Sequence, residues 1–152
     1  MARKEVLVSG ASGFIGTNLA RRLVNAGHRV TCLVRAQSKL DELKQLGVRL
    51  VTANLSDSQS LIAATHNKDW VFHLAGKINF ANRSELMQVN AIGTKNLLTA
   101  CEALPTPPVF VHISSIAAAG PSSRTRPHDE SVLPKPVSNY GISKLESERI
   151  AH

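Results

Sequence analysis

Tyr140 and Lys144 stand four residues apart in Tyr140-Gly-Ile-Ser-Lys144, the spacing that sets two side chains on one face of a helix. An ammonium near a phenol favours the phenolate, which a general acid/base working near neutrality needs. Ser114 and Ser115 follow an apolar run at 109–113 that reads as a strand. Carboxyl ends of strands are where open α/β sheets meet their ligands, so a hydroxyl there can hold a substrate oxygen and orient a proton transfer. Taken alone, the tyrosine and lysine also fit an ordinary exposed helix pair, and the serines a turn after a strand.

A second set of residues suits an anion. Val6 to Val8 read as a short buried strand, and Gly10, Gly13 and Gly16 follow at three-residue spacing before a helix. Glycines between a strand and a helix let backbone approach an anion, while the helix N-terminus supplies free N–H groups and the positive end of a dipole. That context is the one a dinucleotide fingerprint requires, although the spacing is Gly-x-x-Gly-x-x-Gly and not Gly-x-Gly-x-x-Gly.

The elements that must position these groups alternate along the chain. The first helix runs over 17–26 and ends at Gly27, a good C′ residue. A second strand covers 29–34. Ser38 is expected to cap a short helix, with Asp41 three positions later and Gly47 as its stop. A third strand covers 48–53, and Ser56-Asp57 cap a helix running to about Thr65. A fourth strand, 70–74, ends in Ala75-Gly76. A long helix over 84–104 carries Leu86, Val89, Ile92, Leu97, Leu98 and Cys101 at helical spacing. Pro105, Pro107 and Pro108 break it, a fifth strand covers 109–113, and 116–138 reads as one long loop. A last helix starts near Asn139 and still runs at His152. Five strand–helix alternations predict an α/β fold, a doubly wound parallel sheet with helices on both faces. Right-handed crossovers give it the order 3-2-1-4-5. The chain stops inside a helix without a cap, which reads as a chain cut short after that helix.

Composition narrows the class. The chain has 152 residues, 43% hydrophobic and 19% charged, enough for one domain with a real core. No apolar run is long enough to cross a bilayer, and residues 1–5 enter a strand with no signal-peptide core, so a cytoplasmic location and no membrane partner are expected. The net charge of +7 comes from scattered basic residues (Arg3-Lys4, Arg21-Arg22, Arg124, Arg126), and with 4% aromatics there is little for a base to stack on, so no nucleic-acid partner is expected. Cys32 and Cys101 read as small core hydrophobes, and the six histidines show no ligand spacing, so no metal is expected.

The ordered motifs resemble the short-chain dehydrogenase/reductase superfamily, in its extended branch of NAD(P)-dependent epimerases, dehydratases and reductases. They are Ser9-Gly-Ala-Ser-Gly-Phe-Ile-Gly16, Asn54-Leu-Ser-Asp57, His73-Leu-Ala-Gly76, the stretch Val-Asn-Ala-Ile-Gly-Thr-Lys-Asn-Leu-Leu over 89–98, Ile113-Ser-Ser115 and Tyr140-Gly-Ile-Ser-Lys144. The resemblance implies a Rossmann-like fold and a role for each matching residue. Tyr140 would be the catalytic acid/base, and Lys144 would hold the nicotinamide ribose and tune Tyr140. Ser115 would be the serine of the triad, with Ser114 as the alternative. Gly10, Gly13, Phe14, Ile15 and Gly16 would hold the pyrophosphate. Asn54 and Leu55 would lie against the adenine, although Asn54 stands where the family more often has aspartate and equally suits a turn. Leu74, Ala75 and Gly76 would line the ribose and nicotinamide.

The cofactor expected is NADP in preference to NAD. An acid about 20 residues beyond the glycine loop normally takes the ribose 2′-hydroxyl of NAD. Here the second strand ends in Arg35, with no carboxylate before Asp41. A guanidinium there suits a 2′-phosphate; otherwise Arg35 is a solvated charge at a strand end. The resemblance further implies hydride transfer at a hydroxyl or carbonyl carbon of a small-molecule substrate, either a nucleotide sugar or a ketone. It also implies a smaller C-terminal substrate-binding region, absent from these 152 residues, and a possible homodimer through the 84–104 and 139–152 helices. Two rival expectations are a non-catalytic NADP-binding sensor and an inactive cofactor-binding fragment.

Overall fold

Val6, Leu7 and Val8 are fully buried and form the centre of β1 (Glu5–Ser9). A computed structural model describes residues 2–78, 82–125 and 127–152; Arg126 and Met1 lie outside the described residues. β1 is the middle strand of a five-stranded sheet in which every pairing is parallel. The order is β3-β2-β1-β4-β5, with β2 (Arg29–Val34), β3 (Arg49–Thr52), β4 (Trp70–His73) and β5 (Val109–His112). This is the order that right-handed crossovers require, and β2 has the expected bounds.

Alternation along β1 divides the core in two. Val6 and Val8 pack with Ala20 and Leu23 of α1 (Phe14–Asn25) and Leu43 of α2 (Asp41–Gln45). Leu7 packs in a separate cluster with Leu61 and Ala64 of α3 (Ser58–Thr65) and Leu97, Ala100 and Cys101 of α5 (Gly93–Glu102). Each valine or leucine so buried contributes roughly 1.5–3 kcal/mol relative to an exposed position. Burial pushes the Cys32 and Cys101 thiols up to about 12, so both are packing groups and not reactive ones.

The remaining elements are α4 (Arg83–Leu86), which continues through a π-helical turn (Met87–Ile92) into α5, then α6 (Ile116–Ala119) and α7 (Asn139–Ala151). The chain gathers into two compact units. One comprises Met1–Ala75 with Asn96–Ile113 and holds the whole sheet; the other comprises Gly76–Lys95 with Ser114–His152 and holds α4, α6 and α7. Among the described residues no helix is long and apolar enough to cross a membrane.

Strand and helix ends differ from the expectation by one or two residues in several places, and four local features depart from it more clearly. α1 begins at Phe14, not Thr17, because Gly13 adopts an extended N-cap conformation and its carbonyl accepts the Thr17 N–H at 2.9 Å. Ser38 does not cap α2: its hydroxyl accepts the Arg35 N–H at 3.0 Å, and Leu40 is the N-cap without a side-chain bond. The helix expected over 84–104 is one helical run interrupted by the π-helical turn, which holds an extra residue per turn. Within the expected 116–138 loop, Ser115 caps the short helix α6. The cap at Asp57 is as expected, its carboxylate accepting the Gln59 and Ser60 N–H groups.

Replacing Asp57 with alanine should therefore remove about 1 kcal/mol and lower Tm by roughly 2–4 °C in a circular-dichroism melt. Ser56→Ala, one residue earlier, should melt as wild type. An unchanged Asp57→Ala melt would show that the cap contributes nothing.

Candidate functional site

In the sheet-bearing unit, β1 delivers its chain to Gly10 in a left-handed conformation, φ +69°. The end of β4 passes so close that a Cβ on Gly10 would lie 2.6 Å from the Ala75 amide nitrogen and 2.7 Å from the Leu74 carbonyl carbon. A Cβ on Gly16 would lie 2.2 Å from the Gly10 carbonyl oxygen. Both positions exclude any side chain. Gly13 differs, since a Cβ there would meet only the Gly10 oxygen, at the ordinary contact distance of 3.4 Å, with open space otherwise.

α1 therefore starts over a surface stripped of side chains. No side chain caps its N-terminus and no acid occupies its first turn. The next two residues are apolar and exposed, Phe14 at 87% and Ile15 at 62%. An uncapped helix N-terminus above glycines fits a phosphate-bearing ligand, because the N–H groups and the dipole favour an anion. These features fit the pyrophosphate of a dinucleotide.

Ser9 and His73 hold this loop in place. Both are fully buried, and the Ser9 hydroxyl shares a 2.6 Å hydrogen bond with His73 Nδ1 while accepting the Ala75 N–H at 3.3 Å. The Ser9 carbonyl accepts the Leu74 N–H at 3.2 Å. Leu74 and Ala75 are thus fixed against Gly10 by backbone and by one serine. Ser9 and His73 were not singled out as positioning residues by sequence reasoning. Their signal was a serine and a histidine as the last residues of otherwise apolar strands.

Arg35 follows β2, is exposed, and forms no ion pair with a carboxylate among the described residues. Ser38 closes the turn around it, donating its own N–H to the Arg35 carbonyl at 3.0 Å. Asn54 is exposed, and its side-chain oxygen accepts the Ser56 N–H at 3.1 Å. That is the turn role, and the Asn54 amide NH₂ stays exposed to a ligand. The Leu55 carbonyl accepts from the Asn96 amide at 2.7 Å, which pins the 54–55 segment to α5.

In the second unit, α7 carries both Tyr140 and Lys144. Tyr140 is half-buried, whereas Lys144 is 5% exposed. Burial pulls the Lys144 ammonium down to about 8, against a smaller opposing effect of Glu148. Ser115 accepts the Ala117 N–H at 3.2 Å, so its hydroxyl proton remains to donate. Ser114 Oγ is buried with no hydrogen-bond partner. Two glycines allow close backbone contacts around α6: Gly141 lets α7 meet α6, and Gly120 lets the chain after α6 meet the 135–136 segment. A Cβ on Gly141 would lie 2.2 Å from the Ala117 oxygen, and one on Gly120, φ +90°, would lie 2.1 Å from the Lys135 oxygen. Ser115 and Tyr140 are thus held on two elements that touch through backbone.

Asn90, in the π-helical turn, is the residue sequence reasoning missed here. It is 1% exposed, and its side chain accepts the Lys77 N–H at 2.7 Å, donates to the Lys77 carbonyl at 3.0 Å, and donates to Ser143 Oγ at 2.9 Å. Ser143 in turn donates to the Tyr140 carbonyl at 2.7 Å. This buried amide ties the segment after Gly76 to the turn of α7 that bears Tyr140 and Lys144. A lone asparagine inside an apolar helical stripe was the available sign.

The chain is similar to proteins of known family. It matches the model of the NAD-dependent epimerase/dehydratase family over residues 6–152. It is 32% identical over 146 residues to the sterol demethylase protein B of Methylococcus capsulatus, covering 93% of this chain and 44% of that one. It is 37% identical over 100 residues to a 2-alkyl-3-oxoalkanoate reductase of Stenotrophomonas maltophilia, covering 65% and 30%. Among solved structures, the UDP-glucuronic acid 4-epimerase of Bacillus cereus in complex with NAD superposes with a TM-score of 0.81 at 26% identity, covering 97% of this chain and 51% of that one. The chain thus spans about half or less of the length of these relatives. On a family match that takes in the glycine loop, Ser115, Tyr140 and Lys144 together, the chain belongs to the NAD-dependent epimerase/dehydratase family.

Proposed function

We propose that this chain binds NADP(H) in preference to NAD(H) and supplies the proton-transfer residues for oxidation and reduction at a hydroxyl or carbonyl carbon. The observation that carries the reading is the uncapped N-terminus of α1 above Gly10 and Gly16, where backbone closes in from two sides and no side chain fits. The bound nicotinamide supplies or accepts the hydride. Gly10, Gly13 and Gly16 with the α1 amides bind the pyrophosphate, and Phe14 and Ile15 cover it. Leu74, Ala75 and Gly76 line the ribose and nicotinamide, and Asn54 and Leu55 the adenine.

Tyr140 gives a proton to the substrate oxygen during reduction and takes it back during oxidation. Lys144, one helical turn away, favours the phenolate electrostatically and hydrogen-bonds the ribose. Ser115 donates its hydroxyl proton to the same oxygen and orients it. Arg35 supports NADP: a guanidinium with no carboxylate partner among the described residues suits a 2′-phosphate by charge-assisted, bidentate contact, and Ser38 stiffens its turn. Ile116, which follows Ser115 and is 90% exposed, supports an alkyl or ring ketone over a nucleotide sugar. A homodimer through the 84–104 and 139–152 helices is part of the same proposal.

Three outcomes follow. Fluorescence titration should show NADPH binding more tightly than NADH, and Arg35→Ala should weaken NADPH by about 10–100-fold while leaving NADH unchanged. Equal loss for both nucleotides would remove Arg35 from the 2′-phosphate. Tyr140→Phe should keep NADPH affinity and lower the turnover of a ketone substrate by about 10²–10⁴-fold. Retained turnover would dismiss the acid/base role, and a wild type that binds without any turnover would favour a sensor.

The third outcome is a pH dependence. The Lys144 value is lowered from 10.5 to about 8 in the folded chain. Between those values the unfolded chain binds a proton that the folded chain lacks, so stability rises with pH across that window. Lys144→Met removes this contribution, so urea midpoints of wild type should gain on the variant from about pH 8 to about pH 10.5. A constant difference would mean that Lys144 carries its charge in the fold without penalty.

A further inference from the structure

The amino-terminal ends of β1, β2 and β3, opposite the glycine loop, hold a concentration of positive charge that the dinucleotide reading does not use. Glu5, Arg29 and Arg49 are the first residues of β1, β2 and β3. Parallel register sets Glu5 beside Arg29 and Thr31 beside Arg49. The end of α3 closes over these residues with His66, Asn67 and Lys68, leaving a polar cavity of about 500 Å³. Its lining includes three basic side chains, Arg29, Arg49 and Lys68, and one carboxylate, Glu5.

The Lys68 side chain is more than nine-tenths buried, yet its ammonium has only a hydroxyl and a distant carboxylate as partners in the cavity. It donates to Thr31 Oγ1 at 3.0 Å and lies 3.9 Å from Glu5 Oε2. Glu5 is already engaged by the Arg29 guanidinium. The adjoining acid, Asp69, accepts the Glu5 N–H at 2.8 Å and pairs with Lys4 at 3.4 Å. Arg49 has no carboxylate partner among the described residues. Burial, with the Arg49 and Arg29 charges, holds the Lys68 ammonium below the ordinary lysine value despite Glu5.

Three cations sharing one carboxylate in a recess repel one another, and an anion seated among them removes that repulsion. Two planar guanidinium forks and a point-charge ammonium are the donor set that recognises phosphate. We propose that this cavity binds a small phosphate-bearing polyanion at a site separate from the glycine loop. The cavity has room for a compact diphosphate, and its walls carry too few apolar groups to hold a hydrophobic ligand.

The test uses inorganic pyrophosphate as the probe, with sodium chloride at matched ionic strength as the reference. In ¹⁵N–¹H spectra of the chain, pyrophosphate should shift the amides of Ala63, Ala64, His66, Asn67 and Lys68, and it should raise Tm by about 3 °C or more at saturation. Arg49→Gln, at an exposed strand position, should fold normally, show at least tenfold weaker pyrophosphate binding read at these amides, and lose most of the Tm gain. Lys68→Met should do the same. Because the amides of Phe14 to Gly16 report the glycine loop separately, loss of one response leaves the other readable. Pyrophosphate shifts confined to Phe14–Gly16, or equal binding by wild type and Arg49→Gln at residues 63–68, would overturn the proposal.

Discussion

Two strand ends meet at Gly10 with no room between them for a single methyl group. The left-handed turn at Gly10 lets the chain leave β1 and reverse into α1, and the backbone of Leu74 and Ala75 lies where a Cβ would be. Gly16, in the first turn of α1, repeats the constraint and lets α1 lie against the Gly10 carbonyl. Together they fix where the N-terminus of α1 begins and keep side chains away from it. The buried Ser9–His73 hydrogen bond and the Ser9–Ala75 contact stiffen the same crossing from beneath. An anion site built this way depends on backbone dipoles held rigid before the ligand arrives, so little ordering entropy remains to be lost on binding.

The second unit uses the same device for a different purpose. Gly141 lets α7 meet the Ala117 backbone of α6, the helix that Ser115 caps, and Gly120 lets the chain after α6 meet Lys135. Burial of Lys144 opposes its positive charge, and a strongly hydrated ammonium is retained there at a cost to stability. Asn90 and Ser143 hold the turn of α7 that carries it. The π-helical turn around Asn90 gives that amide its reach to Lys77, at the expense of regular helix hydrogen bonds.

The sheet was legible because its signals are local. Uninterrupted β-branched runs mark buried parallel strands, glycines mark the turns that need them, and alternation with helices leaves few topologies. The family was legible as ordered motifs, from the glycine loop to Tyr140-Gly-Ile-Ser-Lys144. What escaped depends on partners distant in sequence. Ser38 has the composition of a cap, but the Arg35 amide competes for its hydroxyl and wins. The π-helical turn at Met87–Ile92 leaves no trace in hydrophobic spacing, because Leu86, Ala91 and Leu97 are buried on either reading. Ser9, His73 and Asn90 look like isolated polar residues until strands and helices from elsewhere in the chain surround them. The basic cavity escaped for the same reason, since Arg29, Arg49 and Lys68 are scattered charges in sequence and neighbours only through strand register.

Gly13 permits the most direct test of the central claim, that α1's uncapped N-terminus is a dinucleotide site. Its φ of −85° suits alanine, and an added Cβ would touch only the Gly10 oxygen at 3.4 Å. Gly13→Ala should therefore fold and melt within about 3 °C of wild type, as a modest N-cap change does. The new methyl would stand in the open space above the loop, where a pyrophosphate must approach backbone. Calorimetric titration with NADPH should then show affinity reduced by at least about tenfold. A folded Gly13→Ala chain that binds NADPH as tightly as wild type would contradict the account.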